Sequence, residues 1–176
     1  MTATHQTTHH CTFLIVGYGN QLRGDDGVGP QVAMTVSDWQ VPSVKAISVP
    51  QLLPAIAAEM AAADYVIFVD AWGKSSASTI RLEPIVTAPT PLAHGTTPAL
   101  NHACDPAALV ALTQRLYGNH PRAWLLQIPT EHCDLGRAFS KTANQGVDSA
   151  LRTIEQFLTT YLRPMFTPAE PCPKSA

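Results

Sequence analysis

Short apolar runs separated by amphipathic segments set the pattern of this chain. Two runs are apolar at nearly every position, residues 12–17 and 65–71, which is typical of strands buried on both faces of a sheet. Residues 44–49 and 123–128 are predicted to form two further strands. Residues 79–85 alternate instead, with Ile80 and Leu82 between Arg81 and Glu83, as in an edge strand with one face in water.

Four helices are predicted between and after these strands. Apolar residues recur at helical spacing after Asp26 (Val28, Val32, Val36) and again from Val147 to Tyr161. Residues 51–63 are rich in Ala and Leu, and residues 106–117 begin after Asp105-Pro106 and end at Gly118. Strands that alternate with helices predict an α/β fold: a three-layer α/β/α sandwich around a twisted, mostly parallel sheet of about five strands.

The length of 176 residues suits one domain. We predict a flexible N-terminus over residues 1–11, one α/β domain over residues 12–163 and a disordered tail over residues 164–176, which holds four prolines. Residues 86–104 are predicted to form a long loop, a feature that is often functional in compact domains.

Charge and composition exclude several classes of partner. Eleven Lys and Arg against thirteen Asp and Glu give a net charge of −2, which leaves no basic stripe for nucleic acid. Neither a membrane-spanning apolar run nor a signal-peptide pattern is seen in the sequence. No C-x-x-C motif joins the four cysteines, Cys11, Cys104, Cys133 and Cys172. They fit reduced thiols, so we expect a cytoplasmic protein. We also expect it to be monomeric when free.

Common catalytic and nucleotide-binding motifs are incomplete. The turn at Gly17 and Gly19 begins like a dinucleotide fingerprint, but the third glycine position holds Leu22. Lys74-Ser75 lacks the glycines of a phosphate-binding loop, and no G-x-S-x-G nucleophile elbow occurs. We therefore expect no organic cofactor.

Acidic residues and one histidine stand at predicted strand ends, where ligands bind in α/β sheets. Asp25 and Asp26 open a predicted helix, and either could simply cap it. Asp70 ends an apolar strand, where an unpaired carboxylate would be costly to bury, and His102 lies in the long loop. Two carboxylates and an imidazole together would favour a divalent transition-metal ion.

The segment FLIVGYGNQLRGDDGVG (residues 13–29) resembles the N-terminal signature of the [NiFe]-hydrogenase maturation proteases. The resemblance continues through VIFVDA (66–71), Asn101-His102 and IPTE (128–131), and so spans about residues 12–160. It implies that the family's metal-binding residues correspond to Asp26, Asp70 and His102. His94 is the alternative histidine, because Asn101 and Cys104 depart from the usual surroundings of the family histidine.

The resemblance implies an endopeptidase that removes the C-terminal extension of a [NiFe]-hydrogenase large-subunit precursor after nickel insertion. Nickel would belong to this substrate, and Asp26, Asp70 and His102 would complete its coordination beside the scissile peptide. Gly17, Gly19 and Asn20 would shape the cleft. Two alternatives stay open: a metal-sensing maturation chaperone without hydrolytic activity, and a metallohydrolase with its own zinc.

Overall fold

A computed structural model describes residues 11–73, 79–87 and 104–162. Five strands form a single sheet in the spatial order β2-β1-β3-β5-β4. The strands are β1 (Phe13–Tyr18), β2 (Val44–Val49), β3 (Tyr65–Gly73), β4 (Arg81–Pro84) and β5 (Arg122–Thr130). All neighbours are parallel except the edge strand β4, which runs antiparallel to β5. The predicted five-stranded, mostly parallel sheet is confirmed.

Helices cover both faces of this sheet. They are α1 (Val28–Asp38), α2 (Ile56–Met60), α3 (Pro106–Tyr117) and α4 (Lys141–Leu162). Helices α1 and α4 pack on one face, whereas α2 and α3 pack on the other. The three-layer α/β/α architecture predicted from the alternating pattern is therefore confirmed.

The central strands serve both layers of the core. Along β1, Phe13 and Ile15 face α1 and α4, whereas Leu14 and Val16 face α2 and α3. All four side chains are buried, since successive residues of a strand point to opposite faces and both faces are covered. This double coverage explains the unbroken apolar runs of the two central strands, Phe13–Val16 in β1 and Val66–Val69 in β3.

Helix boundaries match the capping signals in one case and depart from the prediction in another. At α3 the Asp105 side chain accepts a hydrogen bond from the Ala108 amide at 2.6 Å, and Gly118 ends the helix with φ +72°. The helix predicted over residues 51–63 is shorter in the structure, where only α2 forms. Pro54 keeps the residue before it out of helical geometry, so the helix cannot begin at residue 51. Short-range bonds such as Ile56 N–H to the Leu53 carbonyl form the turn that precedes it.

Two glycines bring α1 against the ends of β1 and β3. A Cβ at Gly17 would lie 2.0 Å from the Gly29 carbonyl oxygen, and a Cβ at Gly29 would lie 2.4 Å from that of Val69. Only glycine permits such close backbone approach. The N-terminus of α1 consequently sits directly on the carboxyl ends of the two central strands.

Several predicted features lie outside the described residues: residues 1–10 of the N-terminal segment, most of the 86–104 loop and the tail over residues 164–176. In the part of the chain that the structure describes, no helix is long and apolar enough to cross a membrane.

Candidate functional site

The site lies at the carboxyl ends of β1 and β3. Because β1 connects to β2 on one side while β3 lies on its other side, the strand order reverses between β1 and β3. Open α/β sheets bind ligands in the crevice at such a switch point. Tyr18 ends β1 and Asp70 lies near the end of β3, so both stand at this crevice.

Asp70 is held by a neighbour from the adjacent strand. The Tyr18 hydroxyl donates a hydrogen bond to its Oδ2 at 2.8 Å, and both residues are partly buried. Burial raises the pKa of Asp70, with a smaller upward contribution from the charge of Asp26, while hydrogen bonds from Tyr18 and the Ala71 amide oppose the shift. Asp70 is therefore a partly desolvated carboxylate beside a second acid.

Asp26 belongs to a one-turn 3-10 helix, Gly24–Gly27, that precedes α1. Its Oδ2 accepts a hydrogen bond from the Asn20 amide at 2.8 Å. Gly19, with φ +137°, packs so closely that an added Cβ would lie 2.0 Å from the Asp26 carbonyl oxygen. Close packing thus explains Gly17 and Gly19. Residue 20 contributes its backbone amide to Asp26, and the Asn20 side-chain oxygen accepts a hydrogen bond from the Leu22 amide at 2.9 Å.

Asp25 has a different role from its neighbour. Its carboxylate is fully buried and accepts four hydrogen bonds: from the Ser140 amide and hydroxyl, both at 2.7 Å, the Glu131 amide at 2.8 Å and the His132 amide at 3.2 Å. Burial alone would raise its pKa, but these bonds outweigh burial and lower it. Neither acid caps α1, which has Gly27 at its N-cap and no side-chain cap, so the capping hypothesis is wrong for both. Asp25 instead links the 3-10 turn Gly24–Gly27, called the acidic turn below, to the start of α4.

The loop after β5 completes the described surroundings. Its Cys133 is exposed, and partial desolvation of the thiol, followed by the charges of Asp26 and Asp25, raises the pKa of that thiol. The His132 Nδ1 atom is buried and has no hydrogen-bond partner among the described residues. Gly24 lies against it, since a Cβ there would be 3.1 Å from that nitrogen. The loop therefore packs directly against the acidic turn.

No protein-family model and no curated protein matches this sequence. Solved structures do match. The [NiFe] hydrogenase maturation protease HycI from Thermococcus kodakarensis KOD1 is 20% identical with a TM-score of 0.64, over 86% of this chain and 95% of that one. The hydrogenase maturating endopeptidase HybD from E. coli is 18% identical with a TM-score of 0.64, over 85% and 93%. The hydrogenase 2 maturation peptidase from a Thaumarchaeota archaeon is 20% identical with a TM-score of 0.61, over 84% and 98%.

The chain has the hydrogenase maturation protease fold. The resemblance seen in the sequence is thereby confirmed at the level of the fold, over nearly the whole length of these neighbours. Coverage of at least 93% of each of the three chains leaves no large part of the maturation protease fold unmatched.

In this maturation protease fold, the structure brings together two of the three predicted ligands. Asp26 and Asp70 lie near enough for the charge of one to raise the pKa of the other. His102 and its alternative His94 lie outside the described residues, and among the residues that are described no three metal-binding side chains cluster. The ligand assignment of His102 stays a prediction.

Sequence reasoning missed the residues that hold these acids. Tyr18 was visible in the G-Y-G-N turn, but only the pairing of β1 with β3 shows that its hydroxyl reaches Asp70. Ser140 lies 115 residues from Asp25, and no local pattern links the two. The sequence offers one signal for Ser140 itself, because a serine before a helix commonly caps it. In the structure the Ser140 hydroxyl accepts a hydrogen bond from the Ala143 amide at 3.0 Å, at the start of α4.

Proposed function

We propose that this chain is an endopeptidase that cleaves the C-terminal extension from a nickel-loaded [NiFe]-hydrogenase large-subunit precursor. The observation that carries the proposal is the pair of carboxylates, Asp26 and Asp70, at the switch-point crevice of this fold. Asp70 accepts hydrogen bonds from the Tyr18 hydroxyl and the Ala71 amide, and Asp26 accepts one from the backbone amide of Asn20. A carboxylate has about four lone-pair positions, so each retains capacity to bind a cation.

In this proposal the metal arrives with the substrate. Asp26, Asp70 and His102 would complete the coordination of the precursor's nickel ion, with neutral imidazole and carboxylate as ligands suited to a divalent transition metal. Binding the ion would place the scissile peptide beside a metal-polarised water, which combines positioning with Lewis-acid assistance. Nickel would thus report that the precursor is ready for processing.

Hydrolysis then needs a proton acceptor. The oxygen of a water molecule would bond to the scissile carbonyl carbon, a proton from that water would pass to a carboxylate, and the peptide C–N bond would break as the leaving amine takes a proton. Because burial raises the pKa of Asp70, its carboxylate accepts a proton more readily than an ordinary aspartate. Asp26 is the alternative acceptor, in which case Asp70 serves as a ligand alone.

The test is incubation of the purified protein with nickel-loaded large-subunit precursor, followed by mass spectrometry of the large subunit. We expect one C-terminal fragment and a correspondingly shortened subunit. An intact precursor that nevertheless forms a complex with the protein would support the maturation chaperone instead. Metal analysis of the isolated protein addresses the third possibility, because a metallohydrolase with its own zinc would contain a tightly held ion in stoichiometric amount.

A further inference from the structure

One short turn holds both candidate metal ligands. At its start, the Tyr18 hydroxyl donates to Asp70 Oδ2 at 2.8 Å, and two residues later the Asn20 amide donates to Asp26 Oδ2 at 2.8 Å. Between them, Gly19 packs directly on the backbone of Asp26. Residues 18–20, at the end of β1 and the start of the turn that follows, therefore contact both acids, which come from different elements.

The turn itself is fixed by the neighbouring backbone. A Cβ on Gly29 would lie 2.5 Å from the Tyr18 carbonyl oxygen and 2.9 Å from its amide nitrogen, so α1 presses on the main chain of Tyr18. The Tyr18 side chain is partly buried, and its hydroxyl donates to Asp70 across the two neighbouring strands. The donor of this hydrogen bond consequently has a fixed position.

We infer that Tyr18 is a positioning residue, whose hydroxyl orients the Asp70 carboxylate toward the metal ion of the substrate. This inference rests on the proposed function. With one oxygen engaged by Tyr18, Asp70 is directed to bind the ion through its remaining lone pairs, at a separation from Asp26 that the turn determines. Partners that orient a metal ligand in this way commonly contribute about 10- to 100-fold to metal affinity or activity.

The experiment compares Tyr18→Phe with the wild type, using Tyr117→Phe as a matched control. Tyr18→Phe removes only the hydroxyl, whereas Tyr117 is 52% exposed at the end of α3, the helix that precedes the amino end of β5. Two quantities are measured: the rate of precursor processing, and the dissociation constant of the enzyme for nickel-loaded precursor. Thermal unfolding of each variant reports on the fold.

We expect Tyr18→Phe to lower processing by about 10- to 100-fold with a nearly unchanged melting temperature, and Tyr117→Phe to match the wild type. The decisive measurement is a double-mutant cycle on the dissociation constant. If Tyr18 acts through Asp70, Tyr18→Phe weakens binding of loaded precursor in the wild-type background but has no further effect in the Asp70→Asn background.

Three results would overturn the inference while leaving the proposed function standing: processing by Tyr18→Phe at the wild-type rate, equal weakening of binding in both backgrounds, or loss of the fold on removal of the hydroxyl. The last would make the hydrogen bond a structural one. Failure of the wild-type protein to cleave loaded precursor would reject the proposed function, and the inference with it.

Discussion

Replacing Asp25 by Ala should strongly destabilise the fold, although Asp25 is predicted to bind no metal. The substitution removes the acceptor for three backbone amides and one hydroxyl, at distances of 2.7 to 3.2 Å, around a carboxylate with no exposed surface. These donors join the acidic turn, the loop after β5 and the start of α4. The Asp25 carboxylate therefore links segments that are distant in sequence.

The magnitude follows from the number and kind of bonds lost. A hydrogen bond to a charged group contributes about 1.5–3 kcal/mol net, so four would exceed 6 kcal/mol if nothing replaced them. Because Glu131 is exposed, water should reach part of the vacated space and satisfy some of the donors. We expect a net loss of about 3–5 kcal/mol, a large fraction of the roughly 5–15 kcal/mol that stabilises a typical domain.

Urea unfolding at pH 7 measures this loss directly. The matched control is Asp134→Ala, since Asp134 lies in the same loop and its side chain, among the described residues, forms only an exposed ion pair with Arg137 at 2.9 Å. Such pairs contribute about 0–1 kcal/mol. Asp25→Asn should fall between the two, because its amide oxygen still accepts while its NH₂ group faces donors. A loss below about 1 kcal/mol for Asp25→Ala would refute the structural role of these bonds.

Other predictions concern acid stability, backbone packing and the ligands. The folded-state pKa of Asp25 lies below its ordinary value of 3.8, so the stability that its charged form contributes is complete above pH 3.8 and is lost as the pH falls through the folded-state pKa. Unfolding free energies measured against pH should show this loss in the wild type and not in Asp25→Asn. Gly29→Ala should cost about 3 kcal/mol in urea unfolding, since its Cβ would meet the Val69 carbonyl, whereas Gly73→Ala meets no atom within 4 Å and should cost little. Asp70→Asn should reduce processing by more than about 100-fold, the upper limit for losing a mere partner of a ligand, without unfolding the chain. His102→Ala should weaken binding of loaded precursor in a titration, whereas His94→Ala should not.

Most of the fold could be predicted from the hydrophobic pattern, because each central strand is covered on both faces and therefore carries an unbroken apolar run. Helix ends were predictable where a local signal decides them, as at Asp105 and Gly118. The second helix was predicted too long, because the composition of residues 51–63 favours a helix while Pro54 limits where it begins.

The candidate site was only partly predictable, for a related reason. A carboxylate at the end of an apolar strand indicates a functional position, and this pattern singled out Asp70, which lies near the carboxyl end of β3 beside Asp26. The sequence alone could not assign separate roles to Asp25 and Asp26, which have identical side chains. Asp25 contacts Ser140, 115 residues away, whereas Asp26 contacts Asn20, six residues away. Only the packing of the start of α4 and the loop after β5 against residues 24–27 gives the two acids different partners.

The central claim is that Asp26 and Asp70 act on a metal ion carried by the substrate. The most direct measurement is the single-turnover rate of cleavage of nickel-loaded and nickel-free precursor by the wild-type enzyme in excess, followed by mass spectrometry. The account predicts cleavage of loaded precursor alone, because without the ion the water is not polarised and the peptide is not positioned. Equally rapid cleavage of nickel-free precursor would contradict the account and favour a metallohydrolase that supplies its own ion.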